Sequence, residues 1–505
     1  MFTPVLSPRR MRWLAIAGGS SIVAVAVVVF ARDHWDGLYD DAFIYLRYVR
    51  NLDDGCGLRF NCGGARVEGF TSPLFLALLW LGSLGTNQLI WLCQIVGAAS
   101  LIGAGALAIA TCARSDEDQA GWASWLLPLA CALALALDPF VLLNANIGLE
   151  TATAAACCSC VGLAAMQRRQ ALLTAAAIAS FLVRPEGVLF IVALPLLPEL
   201  RRARYLAPAA AAVVVVTLTR IALFDAALPN TYYAKAGGSW RHVELGATYL
   251  LDCLRDFPLT FLAPLALLGP RRREALYLVV VACAWALFFL RIGGDTFAYS
   301  RLWLPLVPML TALALVGVHD GLKARLRFAA AVPMIVALVV GGRATITHAI
   351  PPQGASSRIV EWAAVGAYLR AHYPHGTLVA TVPIGAIGYY SGLPILDLVG
   401  LTDATIARAG RGVPSELLQK RWIGHERHDL EYVLEREPAV IVTTMRRDRA
   451  WSLADAKAGF WADWLLLQEI KAGRAPYHVL DAEVMPGAHV LMFERAAPKT
   501  TTPPM

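Results

Sequence analysis

Charge is scarce in this sequence. Only 16% of its 505 residues are Asp, Glu, Lys or Arg, while 57% are hydrophobic. Soluble globular chains carry about 25% charged residues. With a mean hydropathy of +0.55, the shortage excludes an ordinary soluble enzyme, and the apolar content excludes a disordered or fibrous chain. No Cys-x-x-Cys pair stands with a matching histidine pair, so a zinc site has no support. The stretch Gly385-x-x-Gly388 lacks the third glycine and the strand-to-helix setting of a dinucleotide fingerprint; it reads as a strand and turn. No internal repeat is visible. The formal net charge of +7 sits in short basic clusters between apolar runs, which points to membrane topology rather than nucleic acid.

The first apolar run, Trp13 to Ala31, follows Arg9, Arg10 and Arg12. No clear small-x-small cleavage site precedes the polar stretch after it, so it reads as a retained span with a cytoplasmic N-terminus rather than a cleaved signal peptide. Further runs lie at 88–113, 121–137, 151–166, 171–183, 187–198, 205–224, 257–269, 275–291, 302–319 and 327–342. A helical span needs about 20 residues, so the shorter runs are expected to be tilted or broken, and about 11 transmembrane helices result. Segment 73–85 reads as a half-helix entering from the outer face. Alternate threading puts the clusters Arg168-Arg169, Arg201-Arg202-Arg204, Arg271-Arg272-Arg273 and Lys323-Arg325-Arg327 in the cytoplasm. The acidic loop Arg114–Asp118 also falls inside, where acidic residues count little. Residues 32–72, 225–256, 291–301 and everything after 342 then face outward.

The tail, 343–505, changes character. It is polar, holds most of the ten histidines and has no cysteine. Residues 361–372 read as an amphipathic helix, 429–436 as a second helix, and 377–381, 439–443 and 489–493 as strands. The expected architecture is therefore a multi-span α-helical membrane domain over 1–342, with a first outer loop at 32–72, followed by a small periplasmic α/β domain over 343–505. The final Thr-Thr-Thr-Pro-Pro reads as a frayed end.

Eight of the ten cysteines sit in or beside apolar runs and read as small buried hydrophobes. Cys56 and Cys62 instead flank a short Gly-rich turn in the first outer loop. An oxidising compartment favours a disulfide between them, the alternative being two free thiols.

That loop holds five arginines and seven acidic residues in 41 positions, a high density for this chain. At its centre stand the paired carboxylates Asp40 and Asp41, at the start of a helix just beyond the first span. An Asp at a helix start is a good N-cap. Membrane-proximal carboxylates can also deprotonate a hydroxyl or bind a cation. The residues alone leave both readings open.

The order of residues across 39–73 is more specific. It runs Asp40-Asp41-Ala42-Phe43-Ile44, Arg47-Tyr48, Asn51, Gly55-Cys56-Gly57-Leu58, Asn61 and Val67-Glu68-Gly69-Phe70-Thr71. This string resembles the first outer loop of the GT-C membrane glycosyltransferases, and most of all their bacterial arabinofuranosyltransferase branch. Further similar stretches are Gly148-Leu149-Glu150-Thr151, Arg184-Pro185-Glu186-Gly187, Pro229-Asn230-Thr231-Tyr232-Tyr233-Ala234-Lys235 and Gly293-Gly294-Asp295 before Arg301. In the tail they are 385–391, Asp397-x-x-Gly400-Leu401-Thr402-Asp403 and Gly424-His425-Glu426. The resemblance covers about 39–445, and the tail is shorter than in the mycobacterial arabinan enzymes.

The resemblance implies transfer of a sugar, D-arabinofuranose favoured, from a polyprenyl-phosphate donor on the outer face of a bacterial inner membrane. A glycan, lipid or protein of the cell envelope would accept it, and no nucleic acid takes part. Asp40 is the leading base, with Asp41 holding the helix start, orienting Asp40 or binding a metal; the two roles can swap. Lys235, Arg301 and Arg184 are candidates for the donor phosphate, against structural ion pairs with Glu186 for Arg184 and Asp295 for Arg301. Tyr232 and Tyr233 could stack on a furanose or belong to the interfacial aromatic belt. Glu68 would bind sugar hydroxyls or lock the loop to an arginine. His425-Glu426 reads as surface. No clear metal-ligand set assigns a cofactor, and the candidate is a divalent cation (Mg, Mn or Ca) at Asp40 and Asp41. A hexose or mannose transferase on the same architecture is the alternative. A lipid or sugar transporter is more remote, because the spans lack paired inverted repeats.

Overall fold

The computed structural model describes residues 8–34, 38–113, 123–235, 238–295, 297, 299–321, 352–413, 425–446 and 461–496. The expected span at 327–342, the cluster Lys323-Arg325-Arg327, the loop Arg114–Asp118, Gly424 and the C-terminal threonine–proline end lie outside them. The chain divides into two compact units. One comprises Met1–Leu38, Thr71–Ile221 and Gly237–Ala355; the other comprises Tyr39–Phe70, Ala222–Ala236 and Ser356–Met505. This division does not follow a single boundary at 342. Residues 39–70 and 222–236 belong to the same unit as most of the tail.

The first unit is helical. Among the described residues four helices are long and apolar enough to cross a membrane: Arg10–Arg32, Leu89–Cys112, Ala203–Phe224 and Arg272–Ile292. Only 11% of the apolar window in Ala203–Phe224 is buried inside the protein, and Val214, Val215 and Leu218 stand outward. Such a surface suits hydrocarbon as solvent, because a helix satisfies its own backbone polar groups. Other apolar runs form shorter helices, among them Pro73–Ser83, Thr151–Met166 and Gln170–Val183. Proline breaks two expected spans. Residues 187–198 become the short helix Val188–Ala193 flanked by 3₁₀ turns, and 257–269 becomes the 3₁₀ helix Pro258–Leu268 with Pro264 inside. Small residues permit close packing. A Cβ on Gly97 would lie 2.4 Å from the carbonyl oxygen of Ala145.

The second unit is α/β. Its strands are β1 Val379–Thr381, β2 Ile395–Asp397, β3 Arg411–Gly412, β4 Arg427–His428, β5 Val440–Arg446, β6 Tyr477–Met485 and β7 Ala488–Arg495. Five of them form one sheet in the order β2-β1-β5-β7-β6, while β3 and β4 pair separately. The β2-β1-β5 half is parallel and the β5-β7-β6 half antiparallel. Ala380, Leu396, Ile441, Leu491 and Phe493 build its core with Leu466 and Leu467 of helix Trp461–Lys471. The strands read at 377–381, 439–443 and 489–493 overlap β1, β5 and β7, and the two helices read in the tail lie within or over Pro352–His372 and Leu430–Glu435. The stretch read as a strand and turn around Gly385 and Gly388 is instead the helix Ile384–Ser391.

Cys56 and Cys62 form a disulfide with their Cα atoms 5.3 Å apart, just after helix Asp40–Asp53. A loop this short, closed in the unfolded chain, contributes about 2 kcal/mol on the chain-entropy account. Replacing both cysteines by serine is expected to lower the denaturant midpoint of the purified protein by a corresponding amount. An unchanged midpoint would remove the mechanical role of the bridge.

Candidate active site

Helix Asp40–Asp53 is the element on which the site is built. Its N-cap is Tyr39, extended at φ −90° and ψ 157°, with no side-chain cap. Asp40 and Asp41 therefore lie in the first turn, not at the N-cap, where negative charge suits the helix dipole. Residues Ala42 to Val49 are all buried, Arg47 among them.

A buried guanidinium must have its donors met. Arg47 Nε donates to the carbonyl of Phe60 at 2.7 Å, and Nη2 donates to Asn61 Oδ1 at 3.0 Å and to the carbonyl of Leu393 at 2.7 Å. Burial pulls its pKa down to about 9. One turn on, Asn51 Nδ2 donates to the carbonyls of Arg59 and Phe60. Asn61 exchanges two hydrogen bonds with the backbone of Ile395 in β2, at 2.8 and 2.9 Å. Arg50 donates to the Tyr389 carbonyl at 2.9 Å and lies 3.8 Å over that ring. The Tyr48 hydroxyl donates to the Val67 carbonyl and accepts from the Gly69 amide.

The second loop is joined in the same way. The Asn230 amide donates to the Glu68 carbonyl at 3.1 Å, and its Nδ2 donates to the carbonyls of Gly400 and Leu401 at 2.7 and 3.0 Å. Asp397 holds that tail turn, accepting from the amides of Val399, Gly400 and Thr402. Burial raises its pKa to about 6, with the amides of Thr402 and Val399 acting against the shift. Asp403 caps helix Ala404–Ala409 through the amides of Thr405 and Ile406.

Asp40 makes a different contact. Its Oδ2 accepts from the Gly385 amide at 3.0 Å and its Oδ1 from the Ala386 amide at 2.7 Å. These amides belong to the first turn of helix Ile384–Ser391, whose N-cap Pro383 supplies no side-chain cap. Asp40 thus satisfies donors that the helix leaves unpaired. Burial nevertheless pushes its pKa up to about 7, against the two amides and with small additions from Asp41 and Asp397. Both Asp40 and Asp41 remain half-buried rather than sealed. Among the described residues no group of three or more His, Cys, Asp or Glu side chains could hold a metal.

Lys235 follows the short helix Asn230–Ala234, half-buried and without an ion-pair partner among the described residues. Tyr232 is 43% exposed and packs edge-on against Tyr233, whose ring has the Arg408 guanidinium 5.4 Å away. Glu68 is buried at 3% exposure. In the first unit, Arg184 is held between Glu150 at 2.6 Å and Glu186 at 3.0 Å, and Arg301 by Asp295 at 2.9 Å. His425 lends its carbonyl to Trp461 Nε1 at 2.8 Å.

The contribution of Gly385 and Ala386 was hidden in the sequence. The Gly385-x-x-Gly388 spacing is a signal of close helix packing rather than of a turn. A Cβ on Gly385 would lie 1.9 Å from the Asp40 carbonyl oxygen, and one on Gly388 would lie 2.4 Å from Arg47 Nη1. Replacing Arg47 by Met is expected to destabilise the protein by about 3 kcal/mol, because it strips buried acceptors of their donor. Lys would not rescue it, lacking the planar fork. Denaturant midpoints of the two variants provide the measurement, and a Met variant as stable as wild type would contradict it.

The family described as "Domain of unknown function (DUF8728)" matches residues 350–484. No curated protein matches the chain in sequence. Among solved structures, ArnT from Cupriavidus metallidurans in the apo state is similar at a TM-score of 0.58 and 16% identity, over 94% of this chain and 97% of that one. The same protein bound to undecaprenyl phosphate is similar at 0.55 and 15%, with the same coverage. A mycobacterial arabinofuranosyltransferase, AftD, is matched over 99% of this chain and 42% of that one at a TM-score of 0.47 and 15% identity, too distant to carry an argument. The chain thus shares the fold of ArnT over nearly the whole of both chains.

Proposed function

We propose that this protein transfers a sugar from a polyprenyl-phosphate donor to a hydroxyl of a cell-envelope glycan, lipid or protein. D-Arabinofuranose is the favoured sugar, on the strength of the loop string 39–73. The fold of ArnT, one of whose structures holds undecaprenyl phosphate, supports the donor class. The proposed setting is the bacterial inner membrane, with about 11 spans, a cytoplasmic N-terminus and the tail outside.

The observation that carries the reading is the Asp40 carboxylate: half-buried, fixed by two amides and with its proton affinity raised to about 7. General-base efficiency is best when the pKa lies near the working pH. Asp40 would take the proton of the acceptor hydroxyl as its oxygen bonds to the anomeric carbon. The anomeric carbon–phosphate oxygen bond breaks, and polyprenyl phosphate leaves with the electron pair. Asp41, in the same first turn, would hold the helix start or orient Asp40. The departing phosphate needs a cation. Arg184 and Arg301 are already engaged by carboxylates, so Lys235 is the preferred partner, with Tyr232 and Tyr233 offering rings to the sugar.

Asp40→Asn is expected to reduce transfer at least about 100-fold while the protein inserts normally. Because the base acts deprotonated, wild-type turnover should rise with pH up to about 7 and level off above it. Full transfer in Asp40→Asn would sink the assignment. Lys235→Ala should raise KM for the lipid donor more than it lowers kcat. Loss of synthetic polyprenyl-phosphoryl arabinose, but not the mannose analogue, on incubation with purified protein would identify the sugar; the opposite preference would establish the hexose alternative.

A further inference from the structure

We propose that the first turn of helix Ile384–Ser391, through the amides of Gly385 and Ala386, is the positioning element for Asp40, which makes the tail a working part of the reaction centre. This rests on the reading of Asp40 as the base and deepens it. A carboxylate on a helix turn can rotate about its side-chain bonds. Two amides donating to separate oxygens, at 3.0 and 2.7 Å, fix both its direction and its plane. The helix that supplies them is itself fixed to helix Asp40–Asp53 along its length. Gly388 lies against Arg47, Arg50 bonds and stacks on Tyr389, and Arg47 reaches the carbonyl of Leu393 just past its end. Gly385 has no room for a side chain, since a Cβ would lie 1.9 Å from the Asp40 carbonyl oxygen and 2.9 Å from its carboxyl carbon.

The charge balance gives the amides work that no side chain performs. Asp40 has no cationic partner among the described residues. The charged groups that act on it, Asp41 on its own helix and Asp397 at the end of β2, are both acidic and favour the protonated form. The amides are the groups that oppose this.

The test uses the full-length protein in membranes or detergent. Gly385→Ala is expected to lower kcat about 100-fold with little change in KM for the donor. The rising limb of its pH profile should move to higher pH, because a carboxylate deprived of amide donors holds its proton more tightly. Gly392→Ala is the control. It strains the other end of the same helix, where Gly392 has φ +67° and nothing lies within 4 Å of an added Cβ, and it should leave the limb where it is. Ala386→Pro removes one donor with a residue that first helical turns accept; it should move the limb in the same direction if Gly385→Ala does not fold. Equal losses in Gly385→Ala and Gly392→Ala with unmoved limbs would overturn the proposal, leaving the helix a purely structural role. Infrared titration of the Asp40 carboxyl, taken as the difference from Asp40→Asn without any substrate, separates this from failure of the transferase reading. A carboxyl band titrating at higher pH in Gly385→Ala supports the positioning role whether or not sugar is transferred, and an unmoved band refutes it.

Discussion

Helix Asp40–Asp53 has a long buried stretch that contains an arginine, and the need to satisfy that arginine governs how the second unit is put together. A guanidinium removed from water without partners is too costly to keep. Arg47 limits that penalty where the carbonyl of Phe60, the side chain of Asn61 and the carbonyl of Leu393 converge on its Nε and Nη2, while Nη1 has no hydrogen-bond partner among the described residues. The first two come from the loop closed by Cys56 and Cys62, and the third from the far end of the chain. Asn51, Asn61 and Asn230 act in the same manner, since each amide answers backbone groups of a segment that would otherwise be left unpaired.

Asp40 shows how this framework bears on chemistry. A carboxylate with no cation is expensive when desolvated, and the raised pKa expresses that cost. The same desolvation brings proton affinity into the range useful to a base. The two tail amides hold it in place without neutralising it, as a lysine or arginine would. Arg184 and Arg301 illustrate the contrast, since both are buried beside carboxylates that engage them.

Much of the second unit was legible because its motif residues are chemically unusual. The string from Asp40 to Thr71 stood out by its density of charge in an apolar chain, and β1, β5 and β7 were visible as short apolar strand-like runs. The Gly385 stretch was misread because two glycines three apart suggest a turn locally, whereas here they permit a helix to lie against another. The spans at 187–198 and 257–269 were apolar enough to count but carry prolines that replace regular helix by 3₁₀ turns. Hydropathy reports solubility in lipid and is silent about a missing N–H.

By itself the sequence determined the solvent. With 16% charged residues and long apolar runs, the helices must face hydrocarbon, because there are too few polar side chains to cover them. It also determined that the scarce charge is concentrated in residues 32–72. Only the tertiary structure decided which charges are available. Of two neighbouring aspartates, Asp40 meets the amides of residues 345 and 346 positions away, and no local pattern encodes that meeting. Proton affinity is set by the whole surrounding volume of low dielectric and by a handful of dipoles aimed at one group. Both are properties of packing between distant segments, so they come into being only when the chain has folded.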